Sequence, residues 1–472
     1  MMRCKFLVAV LGLSPAALPG QSLPTSLDSI VQASLADLPL ASASVAVFKG
    51  GDTLAWTAKG YADLENRVPA TPSTVYRIGS ITKQFTAAAI LQQVERGTIS
   101  LEDDVAKYVP GYSSQGKHVT VRQLLNHTSG IKDLNDLGDP FFSAMPIDRP
   151  QKDVLALVRN QPFDFEPGTR WSYNNTGYFL LGVVLERVTG QAYEEYLRQH
   201  VFRAAGLAAT SGCDTRTLIP HRARGYDPVG IDFLNAQYMS MLTPFSAAGL
   251  CSTAGDLAAW AGALRSGKVI SRESYRLMTT PEGAAARAEP PYGFGVWVIQ
   301  SGGRRYINHL GLMAGFNAVL STVFPDSLTI AVLTNTSGLG ASTLGGQIGS
   351  ALLGIPPPAF ERAARLARPQ HRPLTDSGRR TYIGSYQLRE VREAGSTTPG
   401  IVTLQIFDEN GRLTALLTGD PPEALTPVGQ HRFVATARPD KNFSFVVRNG
   451  RAIRARFESP EGTYEGARTS GR

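Results

Sequence analysis

The sequence predicts a chain of two parts: an α/β domain whose sheet is closed by distant parts of the chain, then a small antiparallel β-barrel. Three observations predict it. Strand-like runs lie at both ends of residues 25–350, with helical runs between them. A Pro- and Arg-rich stretch opens at Pro356-Pro357-Pro358 and runs to about Pro373. Beyond it, short alternating runs are separated by two-residue turns. Helices packed on strands that are distant in sequence make one layered α/β unit, and about a hundred residues of meandering strand suffice for a barrel.

The elements follow in chain order. Arg3 and Lys5 precede the apolar run Phe6 to Leu13, and small or turn-forming residues fill Ser14 to Ser22. Residues 1–22 therefore read as a secretory signal peptide, with a periplasmic or secreted product; so short a run cannot span a bilayer, which needs about twenty apolar residues. Ser44–Phe48 and Thr53–Thr57 flank Gly50-Gly51-Asp52, a hairpin pattern. The Ala-rich stretch Ile81 to Val94, ended by Gly97, reads as a helix. Further helices are expected at Val121–Leu125, Gly177–Val188 and Asp256–Leu264, and strands at Gly293–Ile299, Ala318–Val323 and Leu328–Leu333. Residues 356–373 are a linker, so the α/β domain occupies 23–355 and the barrel 374–472. Within the latter, strands are expected at Tyr382–Leu388, Val402–Phe407, Leu413–Leu417, Phe443–Val447 and Ala452–Phe457. Asn410-Gly411 and Asn449-Gly450 supply hairpin turns, because both residue types tolerate positive φ.

Composition narrows the function classes. The 472 residues are 43% hydrophobic and 18% charged, enough apolar material for a sizeable core. The 47 Lys and Arg against 39 Asp and Glu give +8, but the densest cluster (Arg362, Arg365, Arg368, Arg372, Arg379, Arg380) is concentrated around the connector. That diffuse excess carries no nucleic-acid signature; without residues 1–22 it is 45 − 39 = +6. Three cysteines exclude a disulfide scaffold and a multi-Cys zinc module. Cys213 and Cys251 remain after the leader; a disulfide and two isolated buried thiols are both open readings.

No Gly-x-Ser-x-Gly elbow, P-loop or His-Glu-x-x-His is present, and the histidines show no paired metal-ligand spacing. Ser-x-x-Lys occurs three times, at Ser80–Lys83, Ser114–Lys117 and Ser129–Lys132. Only the first opens a helix; the others contain an internal glycine in loop-like sequence. A serine hydroxyl needs a nearby base, and at i and i+3 Ser80 and Lys83 share one helix face. The helix N-terminus also presents free N–H groups to a developing oxyanion. Tyr173 and Asn175, two apart on a loop entering a helix, could both face a cleft; a lysine cation would lower the Tyr173 pKa and suit it to proton relay. Gly311, two after His309 in strand-like sequence, would let a substrate approach the backbone closely.

Together, Ser80-x-x-Lys83, Tyr173-x-Asn175 and His309-x-Gly311 resemble the three motifs of the penicillin-recognising serine hydrolases. The likeness is closest to the class C β-lactamase and D-alanyl-D-alanine carboxypeptidase branch, and covers roughly residues 25–350. It extends to Tyr76-Arg77-Ile78-Gly79, Leu124–Gly130 and Gly249–Thr253. The resemblance implies a β-lactamase/transpeptidase-like antiparallel sheet with a helical subdomain, and no cofactor or metal. It implies Ser80 as acylated nucleophile, Lys83 as its activating partner and Tyr173 as general base and acid. Asn175, His309 and Gly311 would bind substrate, and the backbone N–H groups of Ser80 and Leu312 would form the oxyanion hole. His127 reads as scaffold and Glu166 as an exposed turn residue.

One departure bears on substrate. The third motif of classical β-lactamases begins with lysine, a fixed charge for a substrate carboxylate; His309 would supply charge only part of the time near neutral pH. His-x-Gly versions of the family include D-aminopeptidases, related peptidases and esterases, some with a small barrel after the catalytic domain. The tail looks like such a lipocalin-like barrel. The expected substrate is a peptide, amide, ester or β-lactam, including peptidoglycan-derived peptides, with no nucleic-acid partner and no transmembrane segment. A non-catalytic cell-wall-binding protein of the same fold is the rival reading.

Overall fold

The computed structural model describes residues 23–109, 112, 115–137, 145–229, 232–355, 374–390, 401–409, 411–417, 422–429, 431–435, 441–459 and 462–469. The expected leader (1–22), linker (356–373), Ser114 and Asn410 lie outside the described residues.

A seven-stranded antiparallel sheet organises the first part. Its order is Val68–Pro69, Asp52–Asp63, Ser42–Lys49, Leu328–Thr334, Phe316–Phe324, Arg304–Met313, Trp297–Ser301. The chain's early strand thus pairs with a late one, Val45 opposite Val332 and Val47 opposite Ile330. Successive side chains leave a strand on opposite faces, and here both faces are buried. Val45, Val47, Ile330 and Val332 pack with Leu27, Val31, Leu344 and Ile348 of helices Leu23–Asp37 and Gly340–Leu353. Ala46, Ala331 and Leu333 face the opposite way, into a core with Phe85 and Trp260, whose rings stack at 4.0 Å. Those rings belong to helices Thr82–Glu95 and Ala254–Ser266 of the helical subdomain.

The predicted hairpin forms at Gly50 and Gly51, both at positive φ, and the strand after it runs on to Asp63. The expected strand Gly293–Ile299 is shorter: regular pairing begins at Trp297. Gly293 and Gly295 explain this, because their backbone lies against Met278 and Lys83 so closely that a Cβ would collide with main-chain atoms. That segment serves as packing against the Lys83 helix rather than as a ladder.

A smaller sheet gathers Tyr76–Arg77, Leu250–Ser252 and Ser211–Gly212 just before Ser80. Of the two open cysteine readings the structure has the disulfide: Cys213 and Cys251 are bonded, with Cα atoms 5.0 Å apart. Cys251 is also the register partner of Arg77.

The second part is a closed antiparallel barrel of eight strands, each paired to the next, with first and last joined by Tyr386 opposite Arg468. Buried Tyr386, Leu388, Leu404, Phe433, Phe443, Phe445 and Phe457 form its core. Strands Glu423–Gly429, Arg432–Ala435 and Gly462–Arg468 come in addition to the five expected. Among the described residues no helix is long and apolar enough to cross a membrane, and no group of His, Cys, Asp or Glu is arranged to hold a metal.

Candidate active site

Ser80 sits in a single 3-10 turn, Gly79–Ile81, that runs directly into helix Thr82–Glu95. Nearly the whole first three turns of that helix are buried, so Lys83 is carried into the interior with no exposed surface. Its Nζ has three partners: Ser80 Oγ at 3.1 Å, Asn175 Oδ1 at 2.8 Å and the Ala247 carbonyl at 3.1 Å. A neutral amine satisfies all three, donating to Asn175 and Ala247 and accepting the Ser80 hydroxyl proton. Burial drives the Lys83 pKa from 10.5 down to about 7, with nearby Asp133 pulling the other way.

Asn175 is the first residue of helix Asn175–Thr189, whose N-cap Asn174 accepts from the Gly177 N–H at 2.7 Å. Asn174 Nδ2 donates to the Ile131 carbonyl at 2.7 Å, and Asn174 N–H to His127 Nδ1 at 3.1 Å. His127 is thus a buried scaffold residue that anchors the Tyr173–Asn175 segment. Tyr173, half-buried, places its ring 4.7 Å from Lys83 Nζ.

The Tyr173 phenol departs from expectation. Its pKa is raised, not lowered: desolvation, with the Asp133 charge adding to it, outweighs the help of the Ser80 hydroxyl. His309 departs likewise. It is buried, its Nδ1–H donates to the Leu310 carbonyl at 2.6 Å and its Nε2 accepts from Tyr292 Oη at 2.9 Å. Burial, reinforced by Lys83, takes its pKa from 6.5 to about 3. It is therefore neutral throughout the physiological range, and supplies no part-time charge.

Gly311 also has another reason than the expected one. A Cβ there would overlap the Ile78 carbonyl oxygen. The glycine lets the third-motif strand lie directly against the Ile78–Ser80 segment. The same approach brings the Leu312 backbone nitrogen within 2.9 Å of where a Cβ on Gly79 would stand, beside Ser80. Asn317 Nδ2 donates to the Gly311 carbonyl at 3.0 Å and so ties this stretch of strand.

The structure brings Ser80, Lys83, Tyr173, Asn175, His309, Gly311 and Leu312 into one region. The other Ser-x-x-Lys lysines are elsewhere: Lys117 is paired with Glu166, whose side chain is exposed as expected, and Lys132 with Asp164. Asp133, Tyr292 and the Ala247 carbonyl were missed. No local pattern marks them as part of the site, although Asp133 directly follows the Ser129–Lys132 tetrapeptide.

A β-lactamase family model matches residues 27–349. The chain belongs to the β-lactamase family. Penicillin-binding protein 4* of Bacillus subtilis is 28% identical over 418 residues, covering 84% of this β-lactamase-family chain and 88% of the relative. A D-aminopeptidase of Brucella anthropi is 30% identical over 328 residues, 66% of this chain and 59% of its own. Among solved structures, a D-stereospecific amidohydrolase from Streptomyces sp. matches 70% of this chain and 99% of that one, at TM-score 0.61 and 26% identity. The octameric penicillin-binding protein homologue of Pyrococcus abyssi covers 93% of this chain and 99% of its own at TM-score 0.64; at 23% identity it speaks for the fold alone. The relatives of this β-lactamase-family chain include serine hydrolases, and the chain is an enzyme of that kind.

Proposed function

We propose that the protein is an exported serine hydrolase that forms an acyl-enzyme at Ser80, acting on amides, esters and short peptides that need no anchored carboxylate. The observation that carries this is the hydrogen bond between half-buried Ser80 and a fully buried lysine whose pKa is brought down to about 7. Ser80 Oγ attacks the substrate carbonyl carbon as its proton passes to Lys83 Nζ. The backbone N–H groups of Ser80 and Leu312 receive the oxyanion. As the tetrahedral species collapses, Tyr173, protonated at neutral pH, gives its proton to the leaving group and regains one from the Lys83 ammonium. Water then attacks the ester carbonyl, yielding one proton to the same base, and Ser80 is released. Asn175 Nδ2 is the group that would meet the substrate amide.

Substrate class follows from His309. An uncharged imidazole offers a carboxylate no ion pair, which disfavours β-lactams and favours D-aminoacyl amides, related peptides and esters, peptidoglycan-derived ones included. Half-buried Tyr173, Trp297 and Trp171 form a contiguous aromatic strip, with ring centroids 6.4 and 5.3 Å apart. Such a strip suits an apolar or aromatic acyl side chain. Export accords with the Cys213–Cys251 disulfide, which persists in oxidising compartments; in this reading the barrel is a lipocalin-like accessory module. The test is a panel of nitrocefin, D-phenylalanine amide and a short-chain nitrophenyl ester. A missing charge-assisted contact is worth about ten- to a hundredfold, so kcat/KM for the neutral substrates should exceed that for nitrocefin by about that factor. Preferential nitrocefin turnover would reverse the assignment.

A further inference from the structure

We propose that Asp133 is a positioning residue of this reaction: its buried carboxylate, clamped to the first residue of the Asn175 helix, sets the ammonium–amine balance of Lys83. The inference rests on Ser80 and Lys83 as nucleophile and base, and adds a residue outside the three motifs.

Asp133 is only 5% exposed. One carboxylate oxygen accepts from the Asn175 N–H, and the other from the Asn135 N–H at 2.7 Å. The Asn175 side chain in turn accepts from Lys83 Nζ at 2.8 Å. Carboxylate and amine are therefore joined through a single residue.

A purely structural tie would be redundant here. The same two segments are already stitched by Asn174 Nδ2 to the Ile131 carbonyl at 2.7 Å and by the Leu134 N–H to Thr176 Oγ1 at 2.8 Å. What Asp133 adds is charge. The titratable groups packed around Lys83 are Tyr173 and Tyr178, whose phenols burial keeps protonated, and His127 and His309, which burial keeps neutral. Asp133 is the anion whose field reaches the amine, favouring the ammonium against desolvation. Burial, with the Asp136 charge adding to it, raises its own pKa, opposed by its two backbone donors and by Lys83. Nearest to it in sequence, Lys132 is engaged by Asp164 at 3.0 Å. The ammonium that forms when Ser80 gives up its proton is thus stabilised at the moment it appears, and retained until the leaving group needs it.

The experiment is the pH dependence of Ser80 labelling by a fluorophosphonate, on the full chain, for the parent and Asp133→Asn, with the adduct located by peptide mass spectrometry. The expected result is an adduct on Ser80 in both proteins, and an acid-limb midpoint about half to one pH unit lower in Asp133→Asn. Labelling of Ser80 with an unmoved midpoint overturns the Asp133 inference alone; absence of any Ser80 adduct in the parent overturns the nucleophile assignment instead. Asp133→Ser, also neutral and still able to accept from the Asn175 N–H, is the second variant. Should both neutral variants fail to fold while Asp133→Glu folds, the residue is a structural tie and the inference is wrong.

Discussion

Replacing Lys83 by methionine should abolish activity, and its effect on stability should depend on pH in a specific way. Lys83 has no exposed surface, and its pKa falls from 10.5 to about 7 on folding. At about 1.4 kcal/mol per pKa unit, the buried amine costs the fold about 5 kcal/mol at low pH, where it must be carried as an ammonium or forced to deprotonate. Between pH 7 and 10.5 the unfolded chain holds a proton that the folded one has released, so the parent gains stability as pH rises through that window. Methionine fills similar volume without the charge, so the variant lacks this slope. It leaves Asn175 Oδ1 and the Ala247 carbonyl without their donor, a loss of about 1–3 kcal/mol each that offsets the relief of burying no charge. The pH dependence survives that offset: the stability of Lys83→Met relative to the parent should be about 2–3 kcal/mol lower at pH 9 than at pH 7. Urea unfolding of both proteins at the two pH values measures it. A difference independent of pH would mean that Lys83 is ionised in the folded protein, and the account of the base would be refuted.

The same amine predicts the rate profile: kcat/KM for a neutral ester should fall about tenfold per pH unit below about 7 and level off above it; an acid limb centred near 4 would point to a carboxylate instead. Gly311→Ala must push the third-motif strand off Ile78, costing about 1–3 kcal/mol and most of the activity; thermal unfolding and kcat read the two effects, and an unaffected variant would deny the close approach. The Cys213–Cys251 bond closes a separation of 38 residues, so the double alanine variant should lose up to about 4 kcal/mol in unfolding studies; unchanged stability in non-reducing buffer would indicate free thiols.

Much of the site is legible because it is local. The spacing of Ser80 and Lys83, and of Tyr173 and Asn175, places each pair before any tertiary contact is known. Protonation is different in kind. It depends on Asp133 and on the burial of Lys83, Tyr173 and His309 by distant segments, which is why the Tyr173 and His309 expectations inverted. The fold divides along the same line. Helix Gly340–Leu353 contains four glycines, poor helix formers; it forms because Gly340 and Gly345 let it press against Leu40 and Val319. Strand Glu423–Gly429 holds Pro427, a residue that argues against a strand. A register shift between Pro427 and Gly429 accommodates it, and nothing in the local pattern announces that bulge.

The central claim is a covalent intermediate on Ser80. Rapid quenching of the enzyme during turnover of a nitrophenyl ester, followed by peptide mass spectrometry, tests it directly. The expected result is one acyl group, on the peptide containing Ser80, and neither adduct nor turnover in Ser80→Ala. An acyl group on another residue, or hydrolysis by Ser80→Ala at the parental rate, would contradict it.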